Sequence, residues 1–475
     1  MQHSIAPITV NLTNIKTSFD FAKCFLFVAL AFYVSSFGSA AISFVSVFLA
    51  IFAFTGKTPM RAFVTVFLIY LLVAGNPFII TAKPFLLGMA RYVSIAAIAF
   101  KSYLYFYNHP KRQKIFNQAK GALIPLGIFV FIAICTSVLA NWYLHISLLK
   151  ATQFFVFVSS LILFRLSIDR ESGEKLYVWC LAILAFIILS SLFHYLVNPY
   201  SVYYVDEWEP GKFINTDLFC GIIYHPQSLG LVAVFTIAHS FKLLFDSKSF
   251  SVKLLIFILC GISFYFITLT QSRTSLFAVV FLITSTSFKN IFFNNIADRN
   301  IAKRRRKNTL NFLSGGIFIC ILGLALKGKV ILGFITELLF KYSTYRVSFT
   351  DLFYSRMNNI NNSWEAFLAS PIFGEGFGVE KSAKFIESAG LFTAPSEKCF
   401  IPTAILHELG IIGAVAFIYF LVSITIWASR YKHGNFIFLM YTFILINFGE
   451  YIIFSIGGAG CLGWLILSSS LSESN

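Results

Sequence analysis

Apolar runs of about 20 residues recur along the whole of this chain, and a helix of that length spans a bilayer's hydrocarbon core. They fall near 21–37, 40–55, 62–80, 85–104, 122–140, 146–164, 176–197, 219–241, 253–269, 274–288, 311–332, 401–427, 436–453 and 456–470. The expected fold is an all-α polytopic membrane bundle of about 12–14 transmembrane helices with one long outer loop containing short helices. Composition agrees: 12% of the residues are charged, against roughly 25% in a soluble domain. The expected organisation is N-terminal helices over 1–332, the long loop over 333–400 and C-terminal helices over 401–475, one membrane domain overall.

A net charge of +17 raises the question of nucleic acid, and its distribution answers it. With the N-terminus inside, alternate loops face the cytoplasm. They read GKTPMR, NHPKRQKIFNQAK, RLSIDRESGEK, DSKSFSVK, NNIADRNIAKRRRKN and SRYKHGN. With the helix edges and the N-terminus they hold about 24 of the 37 Lys and Arg, which is the positive-inside bias. The basic charge therefore orients the chain against anionic lipid, and no nucleic-acid partner is expected.

Seven of the eight cysteines fall in expected spans, and only Cys399 lies near an outer loop. No CxxC or Cys/His cluster supports a disulfide framework or a zinc site. The first apolar run follows about 20 mixed residues and lacks a cleavage site, so it reads as a retained helix.

Two outer segments interrupt the short loops: 198–218 and the long loop before residue 401. Within the latter, Ile360, Trp364, Phe367 and Leu368 recur at helical spacing, opposite an Asn-rich face. That pattern predicts an amphipathic helix for a membrane interface or a cavity lid, ended by Pro371. The GEGFG at 374–378 follows no strand and reads as a flexible turn rather than a phosphate loop.

Ionisable residues in or at the ends of spans are costly and are candidates for function. They are Arg91, Arg273, His225, His407, Glu408 and Glu450. Arg273 sits in QSRTS, between a span running outward and one running inward, so it belongs at a tight outer turn or a re-entrant edge. Arg346 and Arg356 lie in the long loop, and Arg91 lies just inside a helix starting outside. Four arginines on one side suit a lipid-borne pyrophosphate, which the guanidinium fork grips with two prongs. An ion pair or a snorkelling anchor is the alternative for each. In YHPQSLG, Pro226 suits a first helical turn, leaving His225 to bind sugar or to cap. Pro402 likewise starts a helix, placing His407 and Glu408 about 8–10 Å inside it. An imidazole or carboxylate there can take a proton from a sugar hydroxyl, or the two can be a polar pair satisfied between helices. Glu397 and Lys398 stand just before that helix.

YHPQSLG, QSRTS, SPIFGEGFG and HELGIIG, in that order over roughly 220–425, resemble the O-antigen ligase and O-antigen polymerase superfamily. Many of its members carry a His nine residues before the Glu of the last motif, where this chain has Cys399, so the general base does not carry over. Gln227 stands where the family often has Asn, which favours a polymerase over a ligase.

The resemblance implies a glycosyltransferase that needs no cofactor or metal. It would join undecaprenyl-pyrophosphate-linked repeat units at the periplasmic face of a bacterial inner membrane. Membrane lipids and a chain-length regulator would be its other partners. Arg273, helped by Arg356, Arg346 or Arg91, would stabilise the departing pyrophosphate. His225 and Gln227 would contact glycan, and Glu397 or His407, with Glu408 beside it, would supply the base. A ligase passing polymer to lipid A-core is one alternative; a flippase for the lipid-linked unit is another. A flippase often shows repeats of interrupted helices, and none is detected here.

Overall fold

A computed structural model describes residues 15–76, 78–80, 84–141, 143–206, 214–246, 249–292, 303, 306–311, 314, 356–381, 398–431, 434–456 and 458–471. These residues are overwhelmingly helical, and the chain is an all-α polytopic membrane bundle. Among the described residues, six helices are long and apolar enough to cross a membrane: α4 (Phe85–Tyr107), α5 (Arg112–Ala140), α6 (Leu144–Ser167), α7 (Arg170–Val197), α9 (Phe250–Leu269) and α12 (Ile401–Arg430). Shorter apolar helices include α2 (Ser39–Phe54), α3 (Met60–Val73), α10 (Arg273–Phe292), α13 (Gly434–Ile446) and α14 (Ala459–Ser469). The remaining helices are α1 (Ile15–Ser35), α8 (Pro226–Asp246) and α11 (Met357–Ala369). The expected span at 311–332 lies outside the described residues.

The chain divides into two compact units. One comprises 1–25, 181–355 and 475; the other comprises 26–180 and 356–474.

In the first unit, α8 packs on α9 and α10. The segment before α8 carries a two-stranded antiparallel sheet, β1 (Tyr203–Asp206) and β2 (Ile214–Phe219), with Tyr203 opposite Phe219. The span expected from 219 starts instead at Pro226. Residues 220–225 form a turn in which the Cys220 and Gly221 amides donate to Val202 O, at 2.8 and 3.0 Å. Cys220 therefore lies outside the span in which the sequence placed it.

In the second unit, α5 packs on α6 and α12, and α4 packs on α2, α3 and α6. Phe129 of α5 centres the core, with its ring against those of Phe154, Phe377, Phe417, Phe420 and Phe454. Two expected spans end early because an asparagine turns the chain. After α3, Asn76 Oδ1 accepts the amide of Phe78 at 3.0 Å. After α13, Asn447 Oδ1 accepts the amides of Ile452 and Ile453, each at 2.8 Å. Such side chains offer the backbone an alternative to the helix. The second turn makes 447–456 irregular and brings Glu450 and Tyr451 to the site described below. Arg165, expected in a solvated loop, is wholly buried, and its guanidinium lies against Gly173.

Candidate functional site

The site belongs to the second unit and is built where α12 breaks. Gly410 adopts φ 61°, ψ −165°, outside helical values. In an unbroken helix Ile411 N would bond to His407 O, and Ile412 N to Glu408 O. Both bonds are replaced by bonds to the Gly-rich loop that follows α11. Glu375 N donates to His407 O and Gly376 N to Glu408 O, each at 2.9 Å. Ile411 N donates to Pro371 O at 2.9 Å, and Ile412 N reaches Ile372 O at 3.5 Å. The loop is thus wedged into the helix, and it supplies partners to His407 O, Glu408 O, Ile411 N and Ile412 N. A Cβ on Gly410 would strike the backbone of Ile372, and one on Gly374 (φ +68°) would strike that of Glu408. Phe377 fixes the far end of the loop among the core aromatics, its amide donating to Ser137 Oγ at 2.9 Å. The GEGFG expected as a flexible turn is therefore a fixed, packed element.

Charged side chains converge on this loop. Glu408 Oε1 takes Lys398 Nζ at 3.0 Å, and the pair is 1% and 2% exposed. Its Oε2 accepts from Gly378 N at 2.8 Å and from the Tyr451 hydroxyl at 3.0 Å. Lys398 Nζ also donates to Val379 O at 2.8 Å, and Lys150 Nζ donates to Gly378 O at 2.5 Å. A charge pair this deep needs further hydrogen bonds, and Lys398 has a second acceptor in Val379 O while Glu408 has two further donors. Alongside, His407 Nε2 lies 2.9 Å from Glu375 Oε2, which also accepts Lys381 N at 2.9 Å. Burial opposes ionisation of Glu375, but the hydrogen bonds from His407 and Lys381 outweigh it and hold the carboxyl below its ordinary value. His407 Nδ1 is buried without a hydrogen-bond partner among the described residues.

The amphipathic helix expected before the loop is α11, ending at Ala369 ahead of Pro371. Phe367 of its apolar stripe is buried, while Trp364 and Leu368 stay exposed. Arg356 immediately precedes its first residue and pairs with Glu450. Cys399, which stands where the family resemblance has a histidine, is buried, which pushes its thiol up, and its Sγ lies 3.9 Å from Arg356 O. Arg91 lies on α4, its Nη2 2.7 Å from the Tyr92 hydroxyl, beside a small cavity lined by Tyr70, Ser94 and Cys461. Glu397 and Arg346 lie outside the described residues. Among the described residues, no three His, Cys, Asp or Glu side chains gather as metal ligands.

In the first unit, α9 and α10 are joined by the tight turn expected around Arg273. Gln271 takes left-handed backbone (φ 50°), and Arg273 is the first residue of α10. The Ser272 hydroxyl donates to Ser275 Oγ at 2.8 Å. Gly230 of α8 lies against both serines: a Cβ there would come within 2.5 Å of Ser275 Oγ. YHPQSLG and QSRTS are thus packed together, with His225 exposed and Gln227 half-buried on the same helix end.

Sequence reasoning missed Glu375, Lys150 and Tyr451. Lys150 was open to detection as a lysine inside an expected span; the other two carry no local signal. No protein-family model and no curated protein matches this chain.

Proposed function

We propose that this protein is a polysaccharide polymerase, a glycosyltransferase that joins undecaprenyl-pyrophosphate-linked repeat units at the periplasmic face of a bacterial inner membrane. One observation carries the reading. The four stretches behind the family resemblance pack in two pairs: SPIFGEGFG is wedged into HELGIIG, and YHPQSLG lies on QSRTS. Each pair packs within its own compact unit, as the resemblance leads one to expect of neighbouring motifs.

In this reading a hydroxyl of one glycan attacks the anomeric carbon of another, and the lipid pyrophosphate leaves. Arg273 is the principal cation for the leaving group, with Arg356, Arg346 and Arg91 in support; preorganised cations of this kind act on charge that develops in the transition state. His225 and Gln227 contact glycan. Glu408 has all its partners inside the protein and serves as an anchor, which leaves His407 or Glu397 as the base.

The glycan profile of a deletion strain tests the proposal. A single repeat unit on the acceptor core supports a polymerase. Finished polymer stranded on the lipid carrier would indicate a ligase, and lipid-linked units retained on the cytoplasmic side a flippase.

A further inference from the structure

His407 and Glu375 form a buried dyad with one open atom. Their side chains are 6% and 9% exposed. An ionised carboxylate only accepts hydrogen bonds, and Glu375 Oε2 already accepts the Lys381 amide. His407 Nε2 must therefore carry the proton and donate it. In the neutral ring this leaves Nδ1 as a bare lone pair, and that atom is buried with no partner among the described residues. A buried acceptor without a donor is costly unless the working partner of the site supplies one. The neighbouring carboxylate offers no such opening, because Lys398, Tyr451 and Gly378 fill Glu408.

We infer that His407 Nδ1 takes the proton of the acceptor hydroxyl, with Glu375 as the positioning residue that fixes the ring and its tautomer. The logic is that of a carboxylate–imidazole pair in which one ring nitrogen is held and the other works. The inference rests on the glycosyl-transfer reading. As the hydroxyl oxygen bonds to the anomeric carbon, its proton passes to Nδ1. The bond from that carbon to the pyrophosphate oxygen breaks, and the electron pair leaves with the pyrophosphate. The charged groups acting on His407 are Glu375, Glu408 and Lys398. Of the elements around the loop, α5 contributes Ser137, α6 Lys150 and the segment after α13 Tyr451. None of these reaches Nδ1.

The test uses the purified full-length protein and lipid-linked repeat unit, with kcat and KM measured separately. In His407→Gln the side-chain amide can still donate to Glu375, but it offers no basic nitrogen at the Nδ1 position. The expected result is a fall in kcat of roughly 10²-fold or more, with KM and the unfolding midpoint near wild type. Glu375→Gln should lower kcat with KM unchanged, and Glu375→Asp should recover part of the loss. Wild-type kcat in His407→Gln, or a loss in Glu375→Gln that disappears when rates are normalised to folded protein, would overturn the dyad alone. Failure of the wild-type protein to extend glycan would overturn the glycosyl-transfer reading and the dyad with it.

Discussion

Gly410 lies directly on the backbone of Ile372, at the break in a 30-residue helix. The contact joins two stretches far apart in sequence. Its geometry leaves no room for a side chain on either Gly410 or, one step along the loop, Gly374.

Gly410→Ala and Gly374→Ala should each destabilise the protein strongly. Such positive-φ backbone alone costs a non-glycine residue about 1–3 kcal/mol, and the collision with opposing backbone adds to it. Thermal unfolding in detergent should show lowered midpoints for both. A wild-type midpoint in Gly410→Ala would mean the loop is not wedged into the helix.

Lys398→Met should cost about 3–5 kcal/mol, the usual penalty for stranding one member of a buried ion pair. Replacing both Lys398 and Glu408 by apolar residues of similar size should cost less than the sum of the single changes. Additive losses in a double-mutant cycle would show that the two charges do not interact.

The proteins's acid response should carry the mark of Glu375. Its carboxyl is held below the ordinary value by His407 and Lys381 despite burial. Its stabilisation is therefore full above the ordinary Glu range, about pH 4–5, and is lost as the pH falls through the lower folded value. Unfolding midpoints between pH 7 and 3 should fall more steeply for wild type than for Glu375→Gln. Parallel curves would contradict the assignment.

Much of the fold was legible from the sequence because apolar length alone defines a membrane helix. The start of α12 with Pro402 in its first turn, the end of α11 before Pro371 and the turn before Arg273 followed from local chemistry. The break at Gly410 did not, because HELGIIG reads as continuous helix unless the loop from Pro371 to Gly376 is known to dock there. Glu375 was hidden for the same reason: between glycines it resembles a mobile turn, and its partner His407 lies on another element. Lys150 was visible as an intramembrane cation, but its acceptor, Gly378 O, belongs to no pattern around it.

Packing of α8 on the QSRTS turn gives a suppressor test. Gly230→Ala would press on Ser275 Oγ at 2.5 Å, so it should lower stability. Adding Ser275→Ala removes the struck atom and should restore part of the loss. No recovery would place the strain elsewhere.

The central claim is that this chain joins lipid-linked repeat units, with Arg273 stabilising the departing pyrophosphate. Purified protein should be reconstituted with the undecaprenyl-pyrophosphate-linked unit from its own strain and the glycan products resolved by size. The account predicts a ladder of extended polymers from wild type and none from Arg273→Ala at equal levels of folded protein. Unextended donor with wild type, or an undiminished ladder with Arg273→Ala, would contradict it.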